Sequence, residues 1–100
     1  MAEALIFEFD GVGKDDYDAV NEALGLDPNS DTGDWPSGIK AHVGAAKPGG
    51  GWVVFEVWDS QADQQRWMDE RLGQALQQTG VPAPSRLEWL DVAGYVTPSG

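Results

Sequence analysis

Residues 39–58 read IKAHVGAAKPGGGWVVFEVW, and this stretch decides the fold. Two runs of β-forming residues, Ile39 to Ala46 and Gly51 to Trp58, flank a Lys-Pro-Gly-Gly turn, a pattern that predicts a β-hairpin. If Lys47 lies opposite Gly51 across a three-residue loop, the register follows by counting outward from the turn. Three cross-strand pairs are then expected: Ala46 with Trp52, His42 with Glu56, and Lys40 with Trp58.

This register divides the hairpin into two unlike faces. One face is aliphatic, and we expect it to pack beneath helices; it carries Ile39, Ala41, Val43, Ala45, Val53, Phe55 and Val57. The other face holds two indoles and three titratable groups among small residues, namely Lys40, His42, Gly44, Ala46, Trp52, Val54, Glu56 and Trp58. Two large indoles on an uncovered face predict a partner surface or a ligand groove. Two sheets that meet face to face around a cavity would satisfy both expectations.

The remaining segments complete one α+β domain of 100 residues. A first strand is predicted over 4–9 and a first helix over 14–24, with Gly25 as its stop. A second helix is predicted over 61–78, with Ser60 and Asp63 resembling a capping box, and a long final strand over 86–97. The order β-α-β-β-α-β predicts the ferredoxin-like split βαβ arrangement, an antiparallel sheet with both helices on one face.

Composition limits the partners and the chemistry. Seventeen acidic against six basic residues give a net charge of −11, which disfavours nucleic acid and membrane surfaces. The chain has no cysteine, so disulfides and sulfur-based zinc sites are excluded. The apolar run at 4–7 is too short for a signal peptide or a membrane span, and we expect a cytoplasmic protein.

The element order, the long last strand and the stretch GGGWVVFEVWDS at 49–60, which leads into a helix, resemble the antibiotic biosynthesis monooxygenase-type members of the dimeric α/β-barrel superfamily. The resemblance implies a homodimer in which two sheets close into a shared barrel. It also implies a cavity between sheet and helices for a small hydrophobic or aromatic ligand, with Trp58 near the substrate. Haem-degrading relatives keep a histidine on the second helix that this chain lacks, so no cofactor is expected.

The candidate site centres on the only histidine, His42, which is predicted to face Glu56. A carboxylate there would favour the imidazolium and fix the tautomer, so the pair could act as general base or acid. The alternative is a purely structural cross-strand hydrogen bond. Trp52 flanks the pair, and Trp35 is either a lid over the cavity or a filler at the edge of the core.

Tyr17 is a further candidate, as a hydroxyl that reaches the cavity. No metal site is expected: Asp27, Asn29 and Asp31 alternate as calcium ligands do, but Thr32 stands where the loop needs glycine. Two functions remain open. The chain is either a cofactor-independent monooxygenase or proton-transfer enzyme acting on an aromatic or hydrophobic metabolite, or a non-catalytic dimeric binding or assembly module. A third hypothesis is that the chain is a subunit of a larger hetero-assembly.

Overall fold

A computed structural model describes residues 2–30 and 32–98 of the chain, which fold into one antiparallel sheet of four strands covered by helices on one side. The elements in chain order are β1 Glu3–Phe9, α1 Lys14–Leu24, β2 Ile39–Ala46, β3 Trp52–Trp58, α2 Gln61–Trp67, α3 Gly73–Thr79 and β4 Arg86–Asp91. The strand order in the sheet is β2-β3-β1-β4, and all neighbouring strands are antiparallel. The ferredoxin-like arrangement expected from the sequence is therefore confirmed.

The hairpin register is also confirmed over most of its length. The Lys47 N–H donates to the Gly51 carbonyl at 3.0 Å, and His42 lies opposite Glu56. The expectation fails only at Lys40, because the ladder is irregular between Ile39 and Ala41 and Ile39 takes the place opposite Trp58. One extra residue in β2 at this point is a β-bulge, which counting from the turn cannot anticipate.

The two faces of the sheet are exchanged relative to the sequence expectation. Trp52 and Trp58 are 8% and 0% exposed and belong to the core, whereas Val43 and Phe55 on the aliphatic face are 55% and 36% exposed. The reason lies in β1, whose pairing with β3 puts its large alternate residues on the tryptophan side; these are Leu5, Phe7 and Phe9. The bulky face fills the space beneath the helices. On the other face Val43 and Phe55 remain exposed, whereas Ala4 and Val57 are buried.

The second helical segment is continuous in the chain, and its middle turn is wider than an α-helical turn. Residues Met68–Leu72 between α2 and α3 are π-helical, and the Gly73 N–H donates to the Met68 carbonyl five residues back. Ser60 caps α2 as predicted, since its Oγ accepts from the Asp63 N–H at 3.2 Å. In the described part of the chain, no helix has the length and apolar character needed to cross a membrane.

The final strand is shorter than predicted and ends at Asp91. Asp91 pairs with Glu3, the first residue of β1, and one further backbone hydrogen bond, from the Val92 N–H to the Ala2 carbonyl at 3.3 Å, closes the pairing. The chain then leaves the sheet edge, and the Tyr95 hydroxyl donates to the Lys40 carbonyl on β2 at 3.1 Å. Because β2 is the opposite edge strand, the segment after β4 crosses one end of the sheet, and Tyr95 there is 41% exposed.

Candidate functional site

Helix α1 lies over β2 and β3 and places Tyr17 against the sheet. Acidic residues in its first turn suit the positive end of the helix dipole, and Gly25 ends the helix with a left-handed φ of 74°. Opposite the tyrosine, β2 has a glycine: a Cβ on Gly44 would stand 2.5 Å from the Tyr17 ring and hydroxyl. The missing side chain lets the hydroxyl reach His42 Nε2, with which it is hydrogen-bonded.

His42 also contacts Glu56 on the neighbouring strand β3. Its Nδ1 lies 2.9 Å from Glu56 Oε2, and the Trp58 indole N–H donates to Glu56 Oε1 at 3.0 Å. As a carboxylate, Glu56 can only accept hydrogen bonds, so its Oε1 accepts from the indole and its Oε2 from His42. The neutral imidazole then carries its proton on Nδ1, and its Nε2 accepts from the Tyr17 hydroxyl. We refer to Tyr17, His42 and Glu56 as the relay.

The relay is shielded from water. The side chains of His42 and Glu56 are 10% and 2% exposed. Burial raises the pKa of Tyr17 and is the largest effect; the Asn21 amide lowers the pKa by less, and the charge of Glu56 raises it by a still smaller amount. The phenol therefore remains protonated at neutral pH and keeps its role as donor to His42.

A cavity of about 70 Å³ lies between the sheet and the helices, and all three relay residues line it. Most of the wall is apolar, including Phe7, Phe9, Val12, Leu24, Val54, Met68 and Leu72. Since a water's share of the liquid is about 30 Å³, this space matches about two water molecules. The cavity belongs to one chain, which corrects the expectation that the tryptophan face meets a second sheet and agrees with the cavity that the family resemblance implied.

A second and wider space of about 510 Å³, which we call the outer groove, lies outside β2, and His42 lines it as well. Trp35 covers His42 on this side: the two rings are 5.3 Å apart, and the Trp35 indole N–H donates to the Ser30 carbonyl at 3.1 Å. Trp35 packs against the core and does not line the inner cavity. His42 thus separates the inner cavity from the outer groove.

The structure brings most of the candidate residues together. Trp52 lines the cavity with its ring 4.9 Å from that of Tyr17. Trp58 is fully buried behind Glu56, so it orients the carboxylate and has no place on the cavity wall. Their roles toward a ligand, like those of His42 and Glu56 in catalysis, stay predictions.

Two buried wall residues, Asn21 and Trp67, were not among the sequence candidates. Asn21 had a signal, because it stands one helical turn beyond Tyr17 and therefore shares its face of α1. Trp67 had none beyond its helical spacing, which is equally typical of core residues. Both carry polar N–H groups into an apolar environment.

The loop at 27–38 forms local turns. The Asp27 carboxylate accepts from the Asn29 N–H at 2.9 Å, an Asx-turn, while Asp31 lies outside the described residues. Within 2–30 and 32–98, no group of three or more His, Asp or Glu side chains is arranged to hold a metal ion.

Comparison with known proteins gives fold relatives only. No protein family model matches the chain, and no curated protein is similar to it. Solved structures do match. A candidate antibiotic biosynthesis monooxygenase from Chloroflexus aurantiacus superposes with a TM-score of 0.65 at 19% identity, covering 96% of this chain and 98% of the other. SnoaB, a cofactor-independent oxygenase from Streptomyces nogalater, gives 0.61 at 7% identity, covering 97% of each chain.

A dimeric ferredoxin-like protein of unknown function from Thermobifida fusca gives a TM-score of 0.51 at 14% identity, covering 89% of this chain and 86% of the other. The chain has their ferredoxin-like fold. The expected resemblance to antibiotic biosynthesis monooxygenase-type proteins is confirmed at the level of the fold, and identities this low carry no activity or substrate from one protein to another.

Proposed function

We propose that this chain forms a homodimer that binds a small aromatic or hydrophobic metabolite and moves a proton on it, with His42 as the base. The observation that carries the proposal is the relay Tyr17–His42–Glu56, a hydrogen-bonded chain that lines the cavity between the sheet and the helices. An oriented carboxylate, an imidazole and a hydroxyl are the parts that general acid–base catalysis needs.

In the proposed reaction, an uncharged phenol or enol takes the place of the Tyr17 hydroxyl at His42 Nε2. Its proton passes to Nε2, and the imidazolium is stabilised by Glu56, 2.9 Å from Nδ1. The ligand becomes an anion and His42 becomes a cation, so the net charge of the site does not change. Low local polarity strengthens the attraction between the imidazolium and Glu56.

Two outcomes are open to the anion so formed. It can take the proton back at another atom, which is an isomerisation. It can also react at an electron-rich carbon with O₂ to give a peroxide, which recovers the proton from His42 and loses water to leave a carbonyl. The second route needs O₂ as the only co-reactant, and the structural likeness to a cofactor-independent oxygenase supports it at the level of the fold.

A ring-sized ligand requires the cavity to enlarge, because about 70 Å³ is below the roughly 300 Å³ at which ligand pockets begin. Met68 and Leu72 on the cavity wall belong to the π-helical turn between α2 and α3. Such turns are weaker than regular helix and are frequent at functional sites. We therefore place the opening of the cavity at this turn.

The proposal is tested with 4-nitrophenol, whose phenolate absorbs visible light and whose neutral form does not. At a fixed pH near neutrality, adding the protein in excess is expected to raise phenolate absorbance, because the bound phenol gives its proton to His42. The His42→Gln variant should bind without this increase. The Glu56→Gln variant keeps the imidazole but loses the carboxylate, and we expect it to lose most of the increase.

Binding without any ionisation in the wild-type protein would refute proton transfer and leave a binding protein. Oxygen consumption, measured with an electrode on a polyphenol in the presence of each variant, then separates isomerisation from oxygenation. A rate equal in wild type and His42→Gln would exclude the relay from the oxygen reaction.

A non-catalytic dimeric assembly module is the second candidate function. It is favoured by the open face of the sheet, where Val43, Phe55 and Leu90 are 55%, 36% and 40% exposed. Apolar side chains gathered on one face usually mark an interface. The same face would join two protomers under either function, and the dimeric state of the Thermobifida fusca protein supports this arrangement.

A further inference from the structure

Three N–H donors on the cavity wall have no acceptor among the described residues. They are Asn21 Nδ2, Trp52 Nε1 and Trp67 Nε1, and their residues are 5%, 8% and 6% exposed. The Asn21 amide is near enough to the Tyr17 hydroxyl to lower its pKa, but the two groups do not meet in hydrogen-bonding geometry. A buried donor without a partner destabilises the folded chain, so such groups are rare and call for an explanation. Because three such donors line one cavity, we expect the cavity to bind a ligand that accepts hydrogen bonds.

The wall offers a ligand few free acceptors in return. Both oxygens of Glu56 are already bonded, to His42 and Trp58. Among the residues that line the cavity there is no lysine or arginine, whereas Asp16 and Glu56 are both present. A ligand with a net negative charge would therefore enter an unfavourable potential, and the donors select for an uncharged acceptor.

The shape of the wall adds a second constraint. The rings of Tyr17 and Trp52 are 4.9 Å apart, and Trp67 contributes a further indole to the same cavity. Aromatic walls favour flat, polarisable ligands through stacking and edge contacts.

We infer that the cavity recognises an uncharged, flat ligand through carbonyl or similar acceptor oxygens, which accept hydrogen bonds from Asn21, Trp52 or Trp67. The inference deepens the proposed function, since it adds acceptor oxygens to the hydroxyl that meets His42. Recognition by these donors is physically separate from proton transfer, so it can be tested on compounds that have no proton to give.

The test compares acetophenone with isopropylbenzene, which match in size and differ in one carbonyl oxygen. Binding of each is followed by the tryptophan fluorescence of the protein. We compare the ratio of the two dissociation constants between proteins, because a change in cavity size affects both compounds and leaves their ratio unchanged. Removing the N–H that holds the carbonyl, in Trp67→Phe, Trp52→Phe or Asn21→Leu, is expected to shift this ratio about tenfold toward isopropylbenzene in at least one variant.

Gln64→Met is the matched control. Gln64 is 5% exposed and its Nε2 is also unpaired, but it does not line the cavity, so its ratio should equal that of the wild type. Equal ratios in all three wall variants, or an equal shift in Gln64→Met, would overturn the inference. Because the three variants are independent, loss of folding in one leaves the others decisive.

Two separate readouts distinguish the inference from the proposed function. Ionisation of 4-nitrophenol reports the base, whereas the ratio of the two dissociation constants reports the N–H donors, since neither acetophenone nor isopropylbenzene transfers a proton. A protein that fails to ionise 4-nitrophenol but shows the shifted ratios would retain the acceptor site and lose only the base. The reverse pattern would retain the base and lose the acceptor site.

Discussion

The contact between Tyr17 and His42 exists because β2 has no side chain at residue 44. The pairing of His42 with Glu56 followed from counting across the hairpin, since cross-strand neighbours are fixed by the register. The third partner could not be obtained in this way. Tyr17 lies 25 residues before His42 in the sequence, and their contact depends on how α1 crosses the sheet, which no local pattern of either segment contains.

The Gly44→Ala substitution is expected to separate the relay. The added methyl group would stand 2.5 Å from the Tyr17 ring, so Tyr17 must move away from His42. Overpacking of this kind costs about 1–3 kcal/mol of unfolding free energy, measurable by urea denaturation. Gly94→Ala is the control, because no atom lies within 4 Å of its added Cβ. Equal unfolding free energies for the two variants would contradict this role for Gly44.

The ionisation of Tyr17 gives a second prediction. In a Tyr95→Phe background Tyr17 is the only tyrosine, so the ultraviolet absorbance of phenolate reports it alone. Burial raises the pKa of Tyr17, and its titration midpoint should therefore lie above the ordinary tyrosine value of about 10. A midpoint at or below that value, with the fold intact by circular dichroism, would show that the hydroxyl is not buried.

The same shift fixes the sign of a stability change. Above about pH 10 the unfolded chain releases the Tyr17 proton while the folded chain retains it. The unfolding free energy should therefore fall with rising pH in the Tyr95→Phe protein. Additional replacement of Tyr17 by Phe should remove that part of the slope.

At the scale of the elements, the sequence determined the order of helices and strands but not which face of the sheet they cover. The hairpin alone offered two apolar faces, and the tryptophan face looked like the exposed one because it also carried His42 and Glu56. The face is decided by β1, whose Leu5, Phe7 and Phe9 form a continuous row of large apolar side chains, whereas the other face of β1 has Ile6 between a small and a charged residue. Strand pairing transmits that choice to β3, because paired residues share a face.

Arg71 joins the π-helical turn to the end of α1 and to the loop at 27–38. Its guanidinium donates to the Asp34 carbonyl at 2.9 Å and to the Leu24 carbonyl at the end of α1. Arg71→Met keeps the aliphatic stem but leaves both carbonyls without this donor, and we expect a loss of about 1–2 kcal/mol of unfolding free energy. Amide hydrogen exchange in the loop at 27–38 should become faster.

The control for Arg71 lies on the preceding turn of helix. Among residues 2–30 and 32–98, Arg66 has Asp63, three residues before it, as its one acidic partner, and its side chain is 59% exposed. Arg66→Met should cost less than about 0.5 kcal/mol. If both arginine variants were equally stable, the hydrogen bonds from Arg71 to α1 and the loop would contribute nothing to the unfolding free energy.

At the scale of the whole molecule, the open face of the sheet predicts self-association. The Phe55→Glu substitution places a charge at the centre of that face, and we expect it to convert a dimer of the 10.8 kDa chain into a monomer. Phe55 is outside the core, so the variant should remain folded. Light scattering coupled to size-exclusion chromatography measures the change.

Ala19→Glu provides the matched charge on the exposed side of α1, and it should leave the dimer intact. A wild-type protein that runs as a monomer at all concentrations would exclude the shared barrel. Dissociation by both variants alike would attribute the effect to net charge, which is already −11.

The position of His42 between two spaces has one more consequence. One imidazole ring forms the partition between the inner cavity and the outer groove, and its two nitrogens contact Tyr17 and Glu56. An imidazole can accept a proton at one nitrogen and release another from the second. A proton can therefore pass through this one ring between the Glu56 carboxylate and the Tyr17 hydroxyl, and both ends of that path line the inner cavity and not the outer groove.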